Sequence, residues 1–377
     1  MSSEALFLEG RCLAYYGPTM KRFFGIALVS VLLYPHPAGA QSISELRDTV
    51  SSLARVSAVT GHEHSIAASI ADRLKQRGLT PQVDAMSNVT VTLGSGKPHR
   101  LLVANLDEPG FIVSGITGDG FLRLQRIGTA RPHPYFDQYF EGQRLSIRTT
   151  NGKVVTGVLA IPSTHLARGS NRAERPFELS DGYIDIGTKS SAEVGELGIR
   201  ILDPISIEKN ITSLANDQIV APFLSDRAGA AILLSILTTT PKTQINGTVT
   251  FAFTAQEHFG RKGLDRLTVL YSPDEVYLLE PFNPAQSPDS TTSNASHRVA
   301  IDAEATPAIR RMLERFEGLR AATLKPVPQN PQWKRGTEVI RVGIPILFYA
   351  TPVEVLDLKH LQSTILFLRT IVQSGVS

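Results

Sequence analysis

The stretch Leu101-Leu102-Val103-Ala104-Asn105-Leu106-Asp107-Glu108-Pro109-Gly110-Phe111 decides the fold. It opens with a short continuous apolar run, the pattern of a strand covered on both faces, and such strands lie inside sheets flanked by helices. It then turns abruptly polar, which places Asn105, Asp107 and Glu108 just beyond the carboxyl end of that strand. Open α/β sheets bind their ligands there.

Working outward, Leu46, Val50, Leu53 and Val56 recur at spacings of three and four, and Ile66, Ile70 and Leu74 repeat the pattern before Gly78, so two amphipathic helices open the fold. Residues 89–93 alternate like a half-buried strand. From about 111 to 207 short alternating strands take over, with Asp119-Gly120 and Asn151-Gly152 as hairpin turns, which describes a small all-β module. Helices and strands then alternate again: a helix over 226–237, a strand over Thr248–Thr254, a helix after Gly260, a strand over 275–280, a helix over 305–318, a strand over 344–349 and a closing helix around 353–373. The fold class is α/β with a β insertion.

Bulk properties exclude more than they assign. With 377 residues, 42% hydrophobic and 19% charged, the chain has a globular composition and is neither disordered, collagenous nor coiled coil. A formal charge of +3 from 38 basic and 35 acidic residues supplies no field that would recruit nucleic acid or an anionic membrane. Met20-Lys21-Arg22, the apolar stretch from Phe23 to Tyr34 and the small residues Ala38-Gly39-Ala40 have the form of a secretory signal peptide cleaved near Ala40, so the expected location is secreted or periplasmic, without a membrane span. Residues 1–40 are accordingly set apart as an upstream extension plus signal peptide. The single cysteine, Cys12, falls inside that segment, so disulfides and thiolate catalysis are excluded and any metal must be held by His, Asp and Glu.

The apolar strands end at residues 105–108, at Ala255-Gln256-Glu257-His258, at Glu280 and at Ala350, while Ser225-Asp226-Arg227 opens the helix after Ala221-Pro222-Phe223. These segments predict one polar rim.

At this rim the sequence resembles the M42 family of metallo-aminopeptidases, the glutamyl and tetrahedral aminopeptidase group, over most of residues 42–377. Asn105 to Phe111 is similar to the family's His-Met-Asp-Glu-Ile-Gly-Phe segment, Asp119-Gly120-Phe121-Leu122-Arg123 to the start of its β-barrel insertion, and Asp181-Gly182-Tyr183-Ile184-Asp185-Ile186-Gly187 with Glu196-Leu197-Gly198-Ile199 to its exit. The resemblance implies a zinc-aminopeptidase-like mixed central sheet flanked by helices. It implies a discontinuous α/β domain over 41–110 and 215–377, a small β-barrel over 111–214, and homo-oligomers built through that insertion.

The family holds two metal ions with five side chains. Carried over position by position, these fall on Asn105, Ser225, His258, Glu280 and Ala350, none of which is the family's residue. Glu257 stands at the general-base position, and Asp107, Asp226 and Arg227 around it. A two-metal centre needs a carboxylate able to bridge ions about 3.5–4 Å apart, which Ser225 cannot supply, and Ala350 supplies no donor. Two readings follow from the resemblance. In the first, no metal cofactor is held and the protein is a non-catalytic or weakly active homologue that binds a peptide or small molecule in the old cleft. In the second, one zinc or other divalent ion is held by His258 and Glu280, with Asn105 or Glu257 as third ligand, and supports hydrolysis. Without an ion Asp107 is expected to pair with His258 or Arg227.

Other signals read as structure. His62-Glu63-His64 reads as a surface or capping group at a helix start, Gly94-Ser95-Gly96-Lys97 as a hairpin turn, residues 283–296 as a loop near the rim and Trp333 as core.

Overall fold

The run at 101–104 is the middle of the molecule. In the computed structural model, which describes residues 41–128, 136–160, 176–282, 299–302, 309, 311, 313, 319–322 and 333–374, it forms β3 (His99–Asn105), buried along its whole interior. The strands β12 (Thr248–Thr254) and β13 (Glu275–Phe282) pair with it in parallel on either side. Beyond β12 lie β2 (Val89–Gly94) and β1 (Gln82–Val83), both antiparallel to their neighbours. Beyond β13 lie β16 (Glu338–Pro345), β14 (Val299–Asp302) and β15 (Leu319–Ala322). The result is a mixed eight-stranded sheet in the order β1-β2-β12-β3-β13-β16-β14-β15. Thr254 lies opposite Asn105, and Leu279 opposite Ala104, so three parallel strands finish side by side and deliver their trailing residues to one edge.

Alternation along β3 builds two cores. Leu102 and Ala104 join Phe251, Phe253, Tyr277 and Leu279 on one face. That face is covered by α4 (Ser225–Thr239), α1 (Ile43–Ala54), α2 (His64–Gln76) and α6 (Leu358–Ser374). Leu101 and Val103 join Ala252, Val276 and Leu278 on the other face, under Leu264 and Leu267 of α5 (Lys262–Leu270). Leu102 is fully enclosed, and trimming such a residue to alanine costs about 2–5 kcal/mol. The helix α4 is buried on all sides from Ser225 to Leu237, and after its polar first turn it is almost wholly apolar, as an enclosed helix must be. It approaches the sheet closely at Gly229, where a Cβ would sit 3.0 Å from that of Ala104. At the start of α1, Ser42 Oγ accepts the Glu45 amide while Glu45 accepts the Ser42 amide, a reciprocal cap.

The all-β module is a closed barrel. It is formed by β4 (Gly110–Ile116), β5 (Leu122–Ile127), β6 (Arg144–Arg148), β7 (Val154–Ala160), β8 (Tyr183–Asp185) and β9 (Pro204–Ile207), closing in the order β4-β5-β8-β7-β6-β9. Its interior holds Phe111, Val113, Leu122, Phe140, Leu145 and Ile205, with Val194 of the short helix α3 (Ser191–Glu196). A third sheet, of β10 (Thr212–Ser213), β11 (Gln218–Ala221) and β17 (Glu354–Asp357), lays Glu354 opposite Ala221 at the entrance to α4. All of these elements belong to one compact unit, Gly39–Ser377.

Three sequence expectations are corrected. The strand expected over 344–349 is β16, which ends at Pro345, because Leu347 bridges to Val355 and the chain turns between them. Ala350 is therefore in a turn, with φ +62°, and not at a strand end. The closing helix begins at Leu358 and not near 353, since Glu354–Asp357 pairs with β11. Gly94–Lys97 is not a hairpin turn, because β12 lies between the strands it joins. Gly94 has φ +72°, and a Cβ there would meet the Gly247 carbonyl at 2.1 Å. The signal-peptide reading and the loop over 283–296 lie outside the described residues, as does most of the helix expected over 305–318.

Candidate functional site

The edge where β3, β12 and β13 finish is closed by a tight turn. Gln256 has φ +59°, and four successive amides of that turn each end on a side chain. Asn88 Oδ1 accepts Ala255 N at 2.9 Å, Glu63 Oε1 accepts Gln256 N at 2.9 Å, and the two oxygens of Asp107 accept Glu257 N and His258 N at 2.9 and 3.1 Å. Glu63 also accepts Gly61 N at 2.8 Å. Asp107 and Glu63 are buried, so Glu257 and His258 are presented by a backbone whose polar groups are satisfied from beneath. Behind the turn, Gly263 fits because it has no Cβ, which would sit 2.2 Å from the Ala255 carbonyl.

Around this turn the charged groups pair with one another. Asp226, at the start of α4, accepts the Asn105 amide at 2.9 Å and faces His258 Nε2 at 3.2 Å. Arg261 lies between two carboxylates, its Nη2 2.6 Å from Glu280 Oε1 and its Nε 2.9 Å from Glu257 Oε1. The second oxygen of Glu280 accepts Arg341 Nε at 2.8 Å. Ser225 gives its amide and its hydroxyl to Glu354, at 2.7 and 3.0 Å, and the Ala350 amide joins them at 2.7 Å.

Arg227 is fully buried and donates to the carbonyls of Leu53, Val56 and Leu106 and to Glu108 Oε2. Lys209 reaches the same Glu108 oxygen at 2.6 Å. Asp107 thus meets the backbone of His258 and not its ring, and Arg227 pairs with Glu108.

These surroundings move proton affinities. Burial would lower His258, but the charge and hydrogen bond of Asp226, with Asp107 and Glu257 nearby, outweigh it and raise the imidazole from 6.5 to about 9. Glu257 is pushed from 4.5 to about 7 by burial, against the pull of Arg261. Glu63 rises to about 7 through burial and the charge of Asp107. Glu354 rises to about 8 through burial and Asp226. Burial raises the Tyr349 hydroxyl, with Asp226 and Glu354 adding to the effect.

Asn105, Ser225, Asp226, Glu257, His258, Glu280 and Ala350 lie along this edge of the sheet, and their polar groups are committed to one another and to their neighbours. Ser225 Oγ is turned to Glu354, both oxygens of Glu280 to arginines, and His258 to Asp226. Ala350 offers only its backbone. Among the described residues no three His, Cys, Asp or Glu side chains are gathered as a metal ion requires.

Glu63, read from the sequence as part of a surface or capping group, is instead buried beneath the turn, and Asn88, Arg261, Arg341 and the role of Glu354 were not read from the sequence. Two of them had a signal. Arg261 stands four residues after Glu257, an ion-pair spacing, and Arg341 is a lone charge within the apolar strand Val339-Ile340-Arg341-Val342.

Comparison with known proteins agrees with this architecture. The chain is 28% identical over 240 residues to glutamyl aminopeptidase of Lactococcus lactis subsp. cremoris (strain MG1363), covering 63% of this chain and 66% of that one. The chain spans 63–66% of the length of the first curated relatives it matches, slightly less than two thirds. Among solved structures, aminopeptidase APDkam598 from the archaeon Desulfurococcus kamchatkensis superposes with a TM-score of 0.77 at 22% identity, over 89% of this chain and 96% of that one. The Pyrococcus horikoshii TET1 peptidase, which can assemble into a tetrahedron or a large octahedral shell, also gives a TM-score of 0.77, at 23% identity over 87% and 99% of the two chains. These solved structures establish the fold. The sequence profile of the M42 glutamyl aminopeptidases matches residues 87–315, and the chain belongs to that family.

Proposed function

We propose that this protein keeps the M42 scaffold but has exchanged metal-dependent hydrolysis for ligand binding in the cleft at the strand ends, with peptides as the ligand class. The observation that carries the reading is Glu280, whose two carboxylate oxygens are held by Arg261 and Arg341. Positive charge that a hydrolase of this family would take from metal ions is supplied here by guanidinium groups and by His258. A guanidinium has no vacant coordination position and cannot lower the pKa of a bound water toward neutrality as a metal does. Glu257 then has no activated water to deprotonate, and its roles reduce to accepting a hydrogen bond or pairing with a ligand amine.

The surroundings suit a peptide. Phe259 and Phe348 are exposed, the Tyr349 side chain is partly exposed although burial still raises its hydroxyl, and Tyr349 stands close enough to Asp226, Glu257 and Glu280 to feel their charge. Aromatic faces beside carboxylates favour an extended chain with a free amino end. Export after cleavage near Ala40 and assembly through the barrel are parts of the same proposal, supported by the composition of residues 20–40 and by the assemblies of the TET1 peptidase.

Calorimetric titration of chelator-treated protein with short unblocked peptides tests the reading. Binding that persists without metal and weakens at least fivefold in Glu257→Gln supports it. Binding or turnover that appears only when zinc is restored overturns it in favour of a one-metal hydrolase.

A further inference from the structure

A second concave site lies away from this rim, where the outer face of the barrel meets the segment that follows α1. Along β6 and β9 the residues Leu145, Ile147, Ile205 and Ile207 point into the barrel core, so the alternate residues Ser146, Arg148 and Ser206 point outward. Ser146 and Ser206 are direct register partners. Arg55 and Ser57 line it from the α1 side together with Lys209, and the cavity, which opens to solvent, measures about 140 Å³. That is well below the roughly 300–1,000 Å³ of pockets that take drug-sized ligands, and it suits a single small ion.

The lining is one-sided in charge. Three cations and three hydroxyls face the cavity, and Val154 completes its wall with no acidic side chain. Among the described residues only Lys209 of these three cations has a carboxylate partner, Glu108 behind it. Ser206 is 1% exposed and its hydroxyl has no hydrogen-bond partner, and the Arg148 Nε is likewise buried and unpartnered. A buried polar atom left unpaired is costly, so both donors favour an occupant that accepts hydrogen bonds.

We infer that this cavity is a binding site for a tetrahedral oxyanion, phosphate or a phosphate ester's terminal group, held by Arg55, Arg148 and Lys209 with Ser206 as an internal donor. Guanidinium groups and hydroxyls are the common partners of phosphate oxygens. The ligand would share Lys209 with Glu108, which in turn holds Arg227 behind Asp226. Occupancy is thereby linked to the rim through two ion pairs.

The test is thermal and calorimetric titration of the full protein with inorganic phosphate at constant ionic strength, with chloride, acetate and sulfate as comparison anions. A saturable stabilisation by phosphate, shared by sulfate but absent with chloride and acetate, supports the site, provided affinity falls at least tenfold in Arg148→Gln and in Arg55→Gln. Arg55 is exposed, so its variant remains informative should Arg148→Gln fold poorly. A phosphate effect no larger than that of chloride, or one undiminished in both variants, overturns it. So does a self-association that phosphate reverses and Arg148→Gln abolishes, which would assign the cavity to an acidic side chain of a second copy.

Discussion

Arg261 Nη2 lies 2.6 Å from Glu280 Oε1, in a site where both side chains are about nine-tenths buried. Removing one partner of such a pair strands the other without water. Arg261→Gln is expected to destabilise the protein by roughly 3–5 kcal/mol, although Arg341 remains on Glu280. Adding Glu280→Gln to that variant should restore part of the loss, measured by urea unfolding. A strictly additive double mutant would show that the two residues do not stabilise one another.

Glu354 joins Ser225 to Ala350, accepting three hydrogen bonds while fully enclosed. Glu354→Ala leaves those donors unpaired and should cost on the order of 3 kcal/mol. Ser225→Ala should cost less, and a double-mutant cycle between the two should give a coupling of at least about 0.5 kcal/mol.

Stability should fall as pH rises. Glu63 stands near 7 and Glu354 near 8 against an ordinary 4.5, and His258 near 9 against 6.5. Each folded value lies above its unfolded one, so the folded protein holds more protons. The stability these groups confer is complete below the unfolded values and lost as pH climbs through 7 to 9. Full ionisation of Glu63 alone removes on the order of 3 kcal/mol. The melting temperature should therefore decline between pH 5 and pH 9, and the decline should be shallower in Glu63→Gln, whose amide oxygen still accepts the Gly61 and Gln256 amides. A flat profile, or one rising with pH, would contradict these assignments.

Gly263 admits no side chain, because a Cβ would lie 2.2 Å from the Ala255 carbonyl and 2.4 Å from Asn88 Oδ1. Gly263→Ala should shift the turn that carries Glu257 and His258. The expected result is a weakening of peptide binding at least as large as in Glu257→Gln, together with a lowered melting temperature.

Much of this architecture is legible from residue patterns, and the limits have physical causes. The apolar run at 101–104 marks the central strand because only a doubly covered strand needs four successive apolar residues. The rim is legible because parallel strands in register finish together. The chain from 344 to 358 is misread because Ile344, Ile346 and Leu347 look like one apolar strand, whereas Pro345 ends β16 and the chain turns back so that Glu354 can reach α4. The charge pairing at the site is hidden for a different reason. Asp107 and Glu63 act on backbone amides of a turn 150 or more residues away, and Arg341 reaches Glu280 only because β16 and β13 are neighbours. Spacing along the chain carries no trace of such contacts.

The central claim is that guanidinium groups and His258 stand where the family places metal ions. Elemental analysis of purified protein after incubation with excess zinc and gel filtration, run beside an aminoacyl-amide hydrolysis assay, tests it most directly. The expected result is less than about a tenth of an equivalent of retained zinc and no hydrolysis that a chelator suppresses. One or two equivalents of zinc, with chelator-sensitive hydrolysis that disappears in Glu257→Gln, would contradict it.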